Sequence, residues 1–198
     1  MPRHLLRALF LIAACAIPMC ATAHIGTDFG AHTEIGFLDG LLHPLTGLDH
    51  LAAMLAVGFW SALTARRLWT APLAFAAMLL AGALLGLAGM ELPAVEPMIA
   101  ASVLVLGLLV ALHARLPAVL AAVLVGLFAI FHGVAHGTEL AGAAQIGAPL
   151  LGMLLTTVAL HATGLGLGLA MRHLNTWIPR MAGAGVAALG VTLLARLA

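Results

Sequence analysis

Apolar runs of about 20 residues recur along almost the whole chain, and that recurrence decides its class. Six stand out: Pro44–Ala65, Thr70–Met90, Ala94–His113, Pro117–Thr138, Ile146–Met171 and Trp177–Leu197. Each has the length an α-helix needs to cross a hydrocarbon core about 30 Å thick. Several begin at or near a proline, which suits a first helical turn because the missing N–H is unused there. Only 8% of the 198 residues are charged, against about 25% in a soluble domain, too few to cover a water-facing surface. The expected fold is all-α: a polytopic membrane helix bundle over residues 44–198, with about six transmembrane helices after a cleaved signal peptide.

The first residues read as that signal. Arg3 and Arg7 precede an apolar core, Ala8 to Ile17, and Ala21-Thr22-Ala23 fits small-x-small cleavage. Residues 1–23 are therefore assigned to a signal peptide and 24–43 to a periplasmic or interfacial segment. An uncleaved first helix is the alternative, disfavoured by the short apolar core. Cleavage removes Cys15 and Cys20, leaving no thiolate ligand, and makes His24 the first residue.

The loops carry an orientation signal. Arg66 and Arg67 follow the first run, Arg115 the third, and Arg172 and Arg180 flank the last connection. Between them lie loops with acids alone, Glu91 and Glu96, then Glu139. The positive-inside rule puts the arginine loops in the cytoplasm of a bacterial inner membrane and the mature N-terminus in the periplasm. Arg196 is discordant. Glycines Gly82, Gly86 and Gly89, then Gly164 and Gly168, then Gly183 near Gly185, mark close helix packing. A net charge of +1 shows no nucleic-acid footprint. No Walker motif is present, so ATP is not an expected partner. The lipid bilayer is, and a homo-oligomer stays open.

Ionisable groups inside membrane helices are costly and persist when paired, solvated or functional. Two clusters occur here. The first is His43-Pro-Leu-Thr-Gly-Leu-Asp49-His50, with Met54 one turn on. On one continuous helix His43, His50 and Met54 share a face, while Asp49 points about 100° away. Asp49 is thus either a ligand or a carboxylate that holds an imidazole from behind. The second cluster is Phe131-His132-Gly133-Val134-Ala135-His136-Gly137-Thr138-Glu139. His132 and His136 have the i, i+4 spacing that puts two imidazoles on one metal, and Glu139 shares their face. Gly133 and Gly137 clear space for a neighbouring helix or an ion. By helical rise both clusters lie about 9 Å below the outer surface, in spans running oppositely. They can therefore meet. Imidazole with carboxylate suits Ni²⁺, Co²⁺, Zn²⁺ or Cu²⁺.

His161, deep in the fifth run, is a further candidate ligand. His24, Asp28 and His32 are spaced by four and could collect metal outside, although a polar tail accounts for them as well. His113 and His173 lie at cytoplasmic ends, either as interfacial residues or as an exit.

At the two clusters the sequence resembles the HupE/UreJ family of hydrogenase and urease accessory proteins, regarded as nickel permeases. The pattern His, five residues, Asp, His matches His43, Asp49 and His50. The pattern Phe-His-Gly-x-Ala-His-Gly-x-Glu matches Phe131, His132, Gly133, Ala135, His136, Gly137 and Glu139. The resemblance implies a divalent cation, Ni²⁺, as transported ion, carried inward for a nickel enzyme; Co²⁺ or Zn²⁺ would suit the same donors. Not an enzyme, then, is the expectation. The main alternative is an intramembrane zinc-dependent hydrolase with Glu139 or Asp49 as base, against which the missing His-Glu-x-x-His arrangement speaks. Bis-His haem binding is a third reading.

Overall fold

The apolar runs become helices, and the breaks between them fall where Gly, Pro and Arg interrupt the pattern. The computed structural model describes residues 35–173 and 175–198. The expected signal peptide, both cysteines, His24, Asp28 and His32 lie outside these residues. Among the described residues seven helices follow in order: α1 (Phe37–Thr46), α2 (Leu48–Thr64), α3 (Thr70–Leu87), α4 (Val95–Ala111), α5 (Ala118–Leu140), α6 (Gly147–Met171) and α7 (Trp177–Ala195). Helices α3, α5, α6 and α7 are long and apolar enough to cross a membrane; α2 and α4 have 17 residues each.

The structure departs from the expected spans at the first one. Pro44–Ala65 is not a single helix starting at proline. Helix begins already at Phe37, Pro44 lies inside α1, and the chain breaks at Gly47, whose backbone is extended (φ −85°, ψ 116°). Pro44 has no N–H for the Gly40 carbonyl, and its ring crowds that carbonyl, so the helix ends within a turn. The Thr46 hydroxyl then donates to the His43 carbonyl at 2.8 Å, and α2 restarts with Leu51 N–H donating to the Gly47 carbonyl at 2.9 Å.

Glycine contacts reveal helix direction. A Cβ at Gly133 would stand 2.1 Å from the Leu79 carbonyl oxygen, and one at Gly82 would stand 2.3 Å from that of Ile130. Only glycine allows α3 and α5 to lie backbone to backbone. Gly86 meets Val134, so residue numbers rise together and the pair is parallel. His161 against Met54, Gly164 against Leu55 and Gly168 against Phe59 make α2 and α6 parallel as well. In α4 and α7 Gly107 meets Ala187 and Gly190 meets Leu104, an antiparallel pair. Helices α2, α4 and α6 therefore run one way and α3, α5 and α7 the other. Gly89 and Gly185 play no part: Gly89 turns the chain at φ +80°, and neither has an atom within 4 Å of its Cβ position. The two sets of loops consequently gather at two opposite ends, one rich in histidine and acid, the other in arginine. Between them lies an apolar core of Val57, Phe75, Leu79, Val103, Leu106 and Val125, all fully buried.

Candidate metal centre

The break at Gly47 builds the site. Along a continuous helix, His43 and His50 would be separated by roughly 10 Å of rise. Across the break their ring centroids are 5.9 Å apart. Gly47 permits this, because a Cβ there would stand 2.9 Å from Asp49 Oδ1 and 3.1 Å from His50 Nδ1. Helix α5 supplies the third ring. His136 lies 4.7 Å from His43 and 4.5 Å from His50 between centroids. One ligand nitrogen from each of His43, His50 and His136 falls within 4.8 Å of the others. Two ligands on one ion at a bond length of about 2.1 Å are at most about 4.2 Å apart. The three imidazoles thus stand a small side-chain rotation from a common ion.

Each neighbouring group fixes an imidazole by one nitrogen and leaves the other free. Asp49 Oδ1 lies 2.8 Å from His50 Nδ1 and also accepts the His50 backbone N–H at 2.8 Å. Held this way, His50 donates from Nδ1 and keeps its lone pair on Nε2, which is buried without a partner. Of the two roles open to Asp49, the geometry supplies the holding one. His132, one turn before His136, is fully buried, with its ring 4.9 Å from His50. Its Nε2 lies 3.0 Å from Ser102 Oγ, whose hydroxyl donates to the Ile99 carbonyl at 2.6 Å. A hydroxyl has one proton. Ser102 therefore accepts from His132 Nε2–H, and His132 Nδ1 is left bare and unpartnered.

Glu139 reaches the same group from its rim. Its Oε2 is 3.6 Å from His43 Nε2 and 3.5 Å from His136 Nδ1, and the side chain is 54% exposed. These are ion-pair distances too long for good hydrogen bonds, and both His136 nitrogens count as unpartnered. Beside the rings opens a cavity of about 570 Å³ whose lining includes Asp49, His50, Glu91, Glu96, Glu139 and Arg196. Arg196, the discordant charge, sits here among carboxylates.

His161 is not part of the three-ring group. It is fully buried in α6, with Nδ1 2.8 Å from the Met54 carbonyl, one turn below His50. Its Nε2 is unpartnered. Phe75 of α3 stands between it and the site, 5.6 Å from the His132 centroid and 5.1 Å from that of His161. Gly133 and Gly137 make room for the α3 backbone, so of the two uses expected for their space the neighbouring helix takes it.

Sequence reading passed over Ser102 and Phe75. Ser102 is a lone hydroxyl in the apolar run Ile99-Ala-Ala-Ser-Val-Leu-Val, and a buried hydroxyl needs a partner, so that signal was available. Phe75 carries no such signal.

Comparison with known proteins points to one family. The HupE / UreJ protein family model matches residues 12–193. Protein HupE of Rhizobium leguminosarum bv. viciae is 43% identical over 185 residues, covering 92% of this chain and 94% of that protein. No solved structure matches the chain.

Proposed function

The chain belongs to the HupE / UreJ family, and from that premise we propose that it carries Ni²⁺ across the bacterial inner membrane for a nickel enzyme such as hydrogenase or urease. The observation that carries this reading is the meeting of His43, His50 and His136 at a helix break, beside a carboxylate-lined mouth. Broken helices at membrane depth are tolerated where the irregular backbone lines a site rather than lipid. Helices α2 to α7 are the six spans, and the arginine end faces the cytoplasm.

A hydrated dication first meets the acids of the mouth, which raise its local concentration. Glu139 stands between that mouth and the rings. The ion then exchanges water for imidazole at His43, His50 and His136, and His132 Nδ1 offers the next nitrogen inward. Asp49 and Ser102 aim the rings, as outer partners of metal ligands do. Nitrogen and oxygen donors bind Ni²⁺ firmly enough to dehydrate it, and without thiolate they release it readily. The same donors accept Co²⁺ and Zn²⁺. The zinc-hydrolase alternative draws no support from the family.

Uptake of labelled nickel by cells carrying the wild type or His50→Ala, Asp49→Ala and His132→Ala tests the reading. Loss of uptake in the variants, at equal protein in the membrane, is the expected result. Wild-type uptake in all three would overturn it.

A further inference from the structure

The opposite end of the bundle carries a second constellation that metal transport does not use. Arg66, Arg67, Arg115 and Arg172 come from three separate connections, and all four line one cavity of about 740 Å³. Among the described residues no carboxylate lines it. The loops are held in place: Trp60 Nε1–H donates to the Ala114 carbonyl at 2.8 Å, and the Ser61 hydroxyl donates to that of Leu68 at 2.7 Å.

Two helix N-termini open on the same space. Thr70 and Ala71 begin α3, Pro117 and Ala118 flank the start of α5, and these residues line the cavity. Neither helix has a side-chain cap or an acid in its first turn. At α3 the Thr70 N–H already donates to the Arg67 carbonyl at 3.3 Å and Pro72 has none, so the unused N–H groups are those of Ala71 and of the α5 start at Ala118; with the positive ends of the two dipoles they add to the arginines.

A positive-inside bias requires basic residues on one side of the membrane, but it does not require them to converge. Four arginines from three connections around one cavity concentrate positive charge that an anion would offset. Guanidinium forks and helix N-termini together are the donor set that fits a phosphate. Trp69, next to Thr70 in the chain, and Leu120, two residues after Ala118, are exposed apolar side chains of the kind that sit at a membrane interface. We propose that this cavity binds a phosphate group, carried by an anionic phospholipid head group or present as free phosphate. The site stands independently of the metal reading.

The test uses the full chain, purified metal-free. One arm places it in phosphatidylcholine nanodiscs with and without phosphatidylglycerol; the other titrates inorganic phosphate in detergent. The unfolding midpoint and native mass spectrometry report binding. The wild type is expected to retain phosphatidylglycerol and unfold later in its presence. Arg66→Gln/Arg115→Gln should lower that affinity at least about tenfold, because two charge-assisted contacts are lost. Arg180→Gln, outside the cavity, should retain it. A response to free phosphate alone identifies the anion as soluble and upholds the site. No response to either anion, or an equal response in the double variant, overturns it. Should the double variant not fold, a photoreactive phosphatidylglycerol on the wild type decides: labelling at Arg66–Thr70 and Arg115–Ala118 upholds the site, and labelling spread evenly around the bundle removes it.

Discussion

At the histidine end, α1, α2 and α4 carry an acid in the first helical turn, Asp39, Asp49 and Glu96, while α6 carries none. At the arginine end, the first turns of α3, α5 and α7 carry none. A helix N-terminus with unused N–H groups is thus met by a carboxylate at three of the four starts of one end and at none of the three of the other. Asp49 shows what such a carboxylate achieves. Its carboxylate lies in the first turn of α2 and accepts from both the backbone and the ring of His50. A carboxylate that stabilises the helix start also orients a ligand, and the imidazoles at this end gather neutral donors for a cation. At the arginine end fixed positive charge gathers around empty space. The two ends should therefore respond independently, to opposite charges and through different side chains.

The largest effect expected follows from removing a ring. His136→Ala takes one nitrogen from the three that meet and leaves Glu139 without that neighbour. Nickel affinity of the purified protein, read by calorimetry, should fall by more than the roughly 10–100-fold that loss of an outer partner costs. Phosphatidylglycerol retention should be unchanged. Parallel loss of both would show that the ends are coupled through the fold.

Lowering the pH separates the ends without mutation. Protons compete with the metal for imidazole nitrogen, so nickel binding weakens as the pH falls. Guanidinium keeps its charge throughout, and a phosphodiester remains an anion. Burial holds the His43 imidazole below its ordinary range, so nickel affinity should drop as the pH is taken below about 6, while phosphatidylglycerol binding holds. Nickel affinity still flat at about pH 4 would argue against imidazole ligation.

How much of this was legible beforehand differs between local and long-range features. Helix class, the alternation of arginine and acid loops, and the two histidine clusters follow from residue type and spacing, because they depend on neighbours in sequence. Pro44 was legible as punctuation, but it was read as a helix start and not as the cause of a break after Thr46. A proline fits the first turn and also ends a helix shortly after it, and the flanking apolar residues match either use. The pairing of α3 with α5 was half visible. Gly82, Gly86, Gly133 and Gly137 announced close contact, yet nothing in their spacing says which helices meet. Ser102 lies 30 positions from the ring it supports, and only the folded bundle joins them.

Ser102 gives a smaller and sharper prediction. With Ser102→Ala the buried Nε2–H of His132 has no acceptor, at a cost of about 1–3 kcal/mol. The ring can then flip or shift its proton to Nδ1, the nitrogen that otherwise keeps its lone pair. Nickel uptake should fall on the order of tenfold, and Ser102→Thr, which keeps the hydroxyl, should recover most of it. Equal loss in both variants would point to packing in α4 rather than to the hydrogen bond.

Glu139 should matter least, and the reason lies in its exposure. Its carboxylate sits 3.5 Å from His136 and 3.6 Å from His43, close enough to be a fourth ligand on distance alone. It is also 54% exposed, so water screens its attraction for a cation and competes for its oxygens. A rim acid of this kind speeds entry more than it tightens binding. Glu139→Gln should therefore lower equilibrium nickel affinity by no more than about fivefold, the scale of an exposed ion pair. The initial rate of uptake should fall further than the affinity, and the gap between wild type and variant should narrow as salt is raised. A loss of affinity as large as that of His136→Ala would move Glu139 from the mouth into the ligand set. The contrast between a neutral imidazole cluster and a charged rim would then have to be redrawn, with the carboxylate inside the cation's own coordination shell.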